Sequence, residues 1–504
     1  MAFPESLPLI PFPTSVRRAE GALALTSARV NGPDDAVAAL REGFAARTSL
    51  PFDSAASADD AQIVLQVGST SAGTPESYEL RVGDRVEITG ADEAGLFYGV
   101  QTLRQLAHEV DGAWSVPHIE IDDAPRFAYR GIMLDVARHF FGVDDVKRYI
   151  DNASALKYNH LHLHLTDDQG WRLQIDAWPL LTEKAASSSA LGDEGGFYTK
   201  DDYREIVRYA ASKHMVLVPE VDLPGHTHAI GVAYPELVEA PVISDLLISE
   251  GERLNQPLPV AGQVYTGWGV GHSSVRIGEE RTYDFVRDVL TEVAEITPGP
   301  YLHIGGDESL GTTAEDFATF VTRATRIAAE TGKTPVAWHE VGAVSDIAEG
   351  TIGQYWGKVT PEGSHAEEAA HFVARGGSLI MSASDATYLD MKYGADFPLG
   401  LVWAAIINVQ KAYEWEPTAV VPGVPAEAIL GIEAPLWSET TRTMADVEQL
   451  VFPRAAAHAE TAWSAATAPE RTWDSFRARV AGLAPAWKAE GVNFYASEEI
   501  PWQN

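Results

Sequence analysis

The chain has 504 residues, 45% hydrophobic and 22% charged, a folded-protein composition long enough to need more than one domain. It contains no cysteine, which excludes disulfides, thiol catalysis and thiolate metal sites. Its formal charge of −35 repels phosphate backbones and argues against a nucleic-acid partner.

No uncharged apolar run of about 18 residues offers a membrane span. The first residues, from Met1 to Ser6, show no basic segment leading into an apolar core. A cytoplasmic protein is therefore expected, although a mature secreted chain reads the same way. The sequence carries no signal for oligomeric state.

In chain order, residues 1–125 predict an α+β accessory domain. Tyr78–Val82 and Val86–Thr89 alternate apolar and polar residues around Gly83-Asp84, the pattern of a hairpin. From Glu93 to Val110, the apolar residues Leu96, Val100, Leu103 and Leu106 recur at helical spacing. Pro117–Ile121 reads as a returning strand, and Asp122 to Pro125 as a linker turn.

Residues 126–504 change rhythm to short apolar strand, polar tip, amphipathic helix. Strands are predicted at 131–134, 161–165, 216–221, 301–304, 335–337, 352–355, 378–382 and 429–432. Helices between them are predicted at 143–158, 201–213, 282–296 and 314–330. Such units predict a parallel (β/α)8 TIM barrel with some long loops. An open doubly wound sheet would usually carry a glycine-rich dinucleotide turn after its first strand, and none is present.

In such a barrel, chemistry gathers at the C-terminal strand ends. In order these bring Asp135 and Arg138, then Asp167, Asp222 and His226, then Asp307 and Glu308. Trp338, Trp356, Tyr388 with Asp390, and Trp437 with Glu439 come next, and Trp403 joins from a loop. Carboxylates fill the first half of the ring and aromatics the second. That mixture suits a sugar, whose apolar faces stack on indoles while its hydroxyls need charged partners.

In His303-Ile-Gly-Gly-Asp307-Glu308, a strand runs into two glycines that permit a tight turn and a close ligand. Adjacent carboxylates raise each other's proton affinity, which can hold one of them as an acid near neutral pH. A solvated acidic loop would carry the same two residues. His160, His162 and His164 share one strand face and would line the barrel interior, with Leu161 and Leu163 packed outward on helices. A metal site is one reading of these histidines, aided by His226-Thr-His228. Histidines bonded to carboxylates are the other, and no metal and no cofactor is the expectation adopted.

Taken together, the motifs resemble the family 20 glycoside hydrolases, the β-N-acetylhexosaminidases. The carrying segments are Arg130 to Phe141, His162 to Arg172, Pro219 to Thr227, His303 to Glu308, Tyr388-Leu-Asp390 and Ala434 to Glu439. The N-terminal module resembles that family's accessory domain. The resemblance implies that Glu308 is the general acid/base and Asp307 the carboxylate that orients and stabilises the substrate's 2-acetamido group. Asp167 and His226 would relay to Glu308, and Tyr388 would donate to the acetamido oxygen. Arg138 would hold the 3- and 4-hydroxyls, Trp338, Trp356 and Trp437 would wall the pocket with Trp403 as an addition, and Asp390 and Glu439 would hold the outer hydroxyls and close it.

The activity that the resemblance implies is that of a retaining exo-hydrolase, acting on a terminal, non-reducing β-linked N-acetylhexosamine through an oxazolinium intermediate. Its partner would be a small glycan. Two departures stand out: Leu163 where many relatives carry Trp, expected to be a packing change, and a long segment from Ala229 to Thr282, expected to form a lid or lip. Two rivals remain open at this point, a metal-dependent hydrolase on the same barrel and a carbohydrate-binding protein that keeps only the aromatic pocket. Within the family a disaccharide-releasing enzyme is a third, disfavoured by Asp390 and Glu439.

Overall fold

The computed structural model describes residues 6–26, 28–110 and 113–502. Alternation at period two creates the N-terminal sheet: β1 (Ser15–Ala24), β2 (Val30–Asn31), β3 (Ile63–Val67), β4 (Tyr78–Val82), β5 (Val86–Gly90), β6 (His108–Val110) and β7 (Ala113–Asp123). The order is β1-β7-β4-β5-β3-β2, with β6 paired to β7. The predicted hairpin is present, β4 running antiparallel to β5 with Tyr78 opposite Gly90 and Val82 opposite Val86. Tyr78, Leu80, Val82, Val86 and Ile88 are buried in one core with the helices Asp34–Ala45 and Glu93–Leu106.

Two local expectations are corrected. The helix predicted to run to Val110 stops at Leu106, and His108–Val110 instead pairs with Ala113–Ser115. Leu106 is the last apolar residue on the buried helix face; beyond it the backbone finds its partners in β7. The turn predicted at Asp122 to Pro125 begins later, because Asp122 and Asp123 are still in β7, opposite Glu79 and Tyr78. Asp123 is buried there and accepts from Tyr78 Oη at 2.6 Å, Trp463 Nε1 at 2.9 Å and Lys157 Nζ at 3.1 Å. Those last two donors belong to the second unit, so this carboxylate ties the units together. Arg130 does the same from the other side through Glu76 at 2.7 Å and Tyr98 at 3.1 Å.

The second unit is a closed barrel of eight parallel strands: β8 (Tyr129–Asp135), β9 (His160–His164), β12 (Val216–Glu220), β13 (Tyr301–His303), β14 (Thr334–Trp338), β15 (Ile352–Tyr355), β16 (Leu379–Met381) and β17 (Ile429–Ala434). A short hairpin of β10 (Thr166–Asp167) and β11 (Gly170–Trp171) comes after β9. The predicted helices are found as Val143–Ser154, Lys200–Ser212, Glu280–Ile296 and Ala314–Glu330. The first ends short of Tyr158 because Lys157 turns the chain into β9 with φ 67°. Among the described residues, no helix is long and apolar enough to cross a membrane.

Inward-facing residues stack in layers, as a filled barrel requires. The lowest is apolar, with Tyr129, Val218, Val336, Ile352 and Ile380 in one cluster. The layer above it is polar and includes His162, Glu220, His303, Trp338, Gln354 and Glu433, all with 0% exposure. Above that layer the strands end and the mouth opens.

Candidate active site

β9 and the β10–β11 hairpin deliver His164 and Asp167 to the mouth. Asp167 is buried and fully engaged: it takes Arg138 Nη2 at 2.8 Å, His164 Nε2 at 2.9 Å and His226 Nδ1 at 3.1 Å, and accepts the Asp168 amide at 2.5 Å. Burial opposes its charge, yet Arg138 and His226 hold the carboxyl well below the ordinary aspartate range. The Arg138 guanidinium also lies 4.8 Å from the centre of the Trp437 ring.

His226 stands between Asp167 and the acidic pair. Its Nε2 is buried without a hydrogen-bond partner, 3.7 Å from Asp307 Oδ2 and 3.5 Å from Glu308 Oε2. Burial disfavours the imidazolium, but Asp167, Asp222 and Asp307 raise its pKa well above the usual value. A cation therefore faces the two carboxylates.

The Gly-Gly turn explains how the pair gets there. Gly305 and Gly306 take φ 69° and 107°, and a Cβ at Gly305 would lie 1.6 Å from Asp222 Oδ1. Only glycine fits where the chain folds back over the mouth. Glu308 continues the bend at φ 46°, facing His226 at φ 54°. Each is a left-handed conformation that costs a non-glycine residue about 1–2 kcal/mol. Asp307 is buried, and burial raises its carboxyl to about 6 against the pull of His226, with Glu308 adding to the rise. Asp222 accepts the Gly306 amide at 3.1 Å and is pushed far higher by burial and by Asp307. Burial thus raises both carboxyls, that of Asp222 further than that of Asp307. The Glu308 side chain is 32% exposed, open to an incoming ligand.

Aromatic rings close the opposite side. Trp338 and Trp437 have centroids 6.0 Å apart, Tyr388 lies 6.3 Å from Trp437, and Trp403 lies 5.7 Å from Tyr388 and 6.1 Å from Trp356. Trp338 is wholly buried, whereas Trp403 on the rim is 52% exposed. Burial, then Asp390 and Asp307, raise the Tyr388 phenol well above its ordinary value, so it remains a donor. Asp390 has both carboxylate oxygens buried without a partner, and Glu439 has one. Burial and Glu439 push Asp390 well up; burial raises Glu439 to about 7 despite Arg138, with Asp135 adding to the rise.

The three strand histidines point inward, and Leu161 and Leu163 join the outer core. His162 lies between Glu433 Oε1 at 2.8 Å and Glu220 Oε2 at 3.0 Å, and His164 bonds Glu220 through Nδ1. His160 bonds Asn159 at 2.6 Å and stacks on Tyr129. Among the described residues, four groupings have the spacing to hold a cation: His162–Glu220–His303, His164–Asp167–Asp222, Asp167–Asp168–His226 and Asp222–His226–Asp307. In the first two, hydrogen bonds to carboxylates already engage both nitrogens of His162 and His164.

Sequence reasoning missed Glu220 and Glu433, the carboxylates of this floor. Their only signal was a charge inside the predicted strand at 216–221 for Glu220, and one just past the predicted strand at 429–432 for Glu433. It also missed Glu340, which accepts Trp356 Nε1 at 2.9 Å and fixes that indole, and whose carboxyl is raised by burial and by Asp307.

Comparison with known proteins adds an independent finding. Residues 127–315 and 309–466 match the model of the glycosyl hydrolase family 20 catalytic domain, and residues 6–124 that of the family's domain 2. A β-N-acetylhexosaminidase of Cellulomonas fimi is 41% identical over 433 residues, covering 85% of this chain and 82% of the relative. A solved family 20 β-N-acetylglucosaminidase superimposes with a TM-score of 0.90 at 51% identity, over 98% of this chain and 99% of the other. The Streptomyces plicatus N-acetyl-β-hexosaminidase in complex with Thio-NAglucal gives a TM-score of 0.90 at 42% identity, covering 99% and 98% of the two chains.

Proposed function

This chain belongs to glycosyl hydrolase family 20 and is a β-N-acetylhexosaminidase, and from that premise we propose how its own residues carry out the reaction. The substrate is a glycan ending in a β-linked N-acetylhexosamine, whose terminal sugar sits in the mouth. Arg138 holds its 3- and 4-hydroxyls. Asp390 and Glu439 take the outer hydroxyls with oxygens that have no partner in the protein. Trp338, Trp356 and Trp437 enclose the acetamido group and the ring, with Trp403 at the rim, and Tyr388 donates to the acetamido oxygen.

Glu308 protonates the glycosidic oxygen while the acetamido oxygen attacks the anomeric carbon, so the leaving alcohol departs and an oxazolinium ion forms. The nucleophile is intramolecular, which gives it a high effective molarity without any enzyme nucleophile. The Asp307 anion stabilises the positive charge in a site shielded from water. Glu308, now a carboxylate, takes a proton from water as it attacks the anomeric carbon, the acetamide is restored and the β-configuration is retained. Asp167 and His226 act on Glu308 from behind.

The observation that carries this reading is the arrangement at the Gly-Gly turn: Asp307 buried, Glu308 beside it and open, with His226 Nε2 3.7 Å and 3.5 Å from their carboxylates. The test compares release of p-nitrophenol from the β-N-acetylglucosaminide and from the plain β-glucoside. Turnover of the first and none of the second is expected. Equal turnover of both would overturn substrate assistance, and inactivity on both would favour a binding-only site.

A further inference from the structure

The long segment from Ala229 to Thr282 takes no direct part in the reaction above, yet its inner edge at residues 272–275 is buried against the two strained residues of the site. Ser273 Oγ accepts the Thr227 amide at 2.8 Å and donates to Asp168 Oδ1 at 2.6 Å. The same Asp168 oxygen accepts the His228 amide at 2.9 Å, and the Asp168 amide donates to Asp167. The backbone on the C-terminal side of His226 is therefore pinned by one hydroxyl and one carboxylate. The Val275 amide reaches Pro224 O at 3.1 Å on its N-terminal side.

The next serine reaches the other strained residue. Thr312 Oγ1 donates to Ser274 Oγ at 2.9 Å and accepts from Ser309 Oγ at 2.6 Å, and the Leu310 amide closes on Glu308 O at 2.7 Å. Gly225 packs against this turn, where a Cβ would lie 3.2 Å from Asp307 O. Followed around, the contacts form a ring: Glu308, its turn to Thr312, Ser274 and Ser273, the amide of Thr227, the His226 ring, and back to Glu308.

We propose that Asp168, Ser273, Ser274 and Thr312 are positioning residues that hold the Glu308 turn and the His226 backbone at a set separation, so that Glu308 meets the leaving oxygen as an acid. This rests on Glu308 being the general acid. The physical need is plain, since two facing left-handed residues relax unless their surroundings hold them. A general acid displaced by a fraction of an ångström also loses most of its effect. The lip segment is then part of the acid's mounting.

The test is leaving-group dependence. Ser273→Ala and Thr312→Val each delete one hydroxyl of the ring, and Thr312→Ser restores it. kcat/KM is measured on β-N-acetylglucosaminides of 2,4-dinitrophenol, which departs without a proton, and of methanol, which needs one. Each deletion is expected to lower kcat/KM roughly 10-fold or more on the methyl glycoside and less than about 3-fold on the dinitrophenyl glycoside, with Thr312→Ser recovering the loss. Equal losses on both substrates, or no loss on the methyl glycoside, would overturn the proposal. Glu308→Gln is run alongside: if it too falls equally on both substrates, the acid assignment itself fails, an outcome separate from failure of the ring.

Discussion

In the barrel floor, Glu220 and Glu433 are fully buried and each meets several donors: His162, His164 and Trp338 for the first, His162, Gln354 and Tyr129 for the second. One layer higher, Asp222, Asp307 and Asp390 are buried and Glu439 is half-buried, and each has at least one oxygen with no partner. Burying an unpaired charge is costly, and the carboxyl pKa values of these four groups are raised while those of Glu220 and Glu433 are lowered. The difference teaches how to tell structural from functional charge in one barrel. Under the proposed mechanism, the satisfied carboxylates of the floor hold the barrel together and the unsatisfied ones of the mouth meet the ligand.

The largest effect should come from the mouth. Asp307→Asn and Glu308→Gln are each expected to lower kcat by roughly 10²–10⁴-fold while the thermal melt stays close to wild type. Near-wild-type activity in either variant would remove that residue from the mechanism. The floor should behave in the opposite way. Glu433→Gln breaks a buried charged network and is expected to cost about 3–5 kcal/mol in urea unfolding. Asp390→Asn removes an orphaned carboxyl and should leave stability equal or higher while kcat/KM falls; a loss of stability matching the floor variant would erase the contrast.

Two pH dependences sharpen the same comparison. Because the proposed mechanism needs Asp307 as an anion and burial raises its carboxyl to about 6, kcat/KM should fall as pH drops through about 6. In the floor, burial works against the cations, but Glu433 and Glu220 raise His162 to about 10, and Glu220 and Asp167 raise His164 to about 9. A raised histidine binds its proton more tightly when folded, so its stabilisation is complete below the unfolded value of 6.5 and is lost as pH rises toward 9–10. A melting temperature that stays level from pH 7 to about 10 would show that the floor histidines are not cations. The smallest effect is expected from chelation. EDTA should leave turnover unchanged, and loss of activity rescued by zinc would revive the metal reading of the histidine strand.

Much of the fold was legible because the relevant pattern is local. Tyr78–Val82 and Val86–Thr89 show their hairpin by alternation alone, and the barrel strands show their positions by short apolar runs that end in a polar residue. The misread places are those where a distant partner overrides local signal. Asp122 and Asp123 read as a turn, but Asp123 is drawn into β7 by donors as remote as Trp463. Glu433 fell just past the predicted strand at 429–432 and suggested no role, because its partner His162 lies 271 positions away. The Ala229–Thr282 segment could be seen to be long, but not to end in serines bonded around His226 and Glu308.

By itself, then, the sequence determined which side chains stand at the strand ends, since strand periodicity and the Gly305-Gly306 pair are properties of neighbouring residues. Tertiary structure alone decided which of those side chains are charged, which are paired and which are left open. A proton's affinity depends on burial and on charges brought together from far along the chain, and only closure of the barrel assembles them.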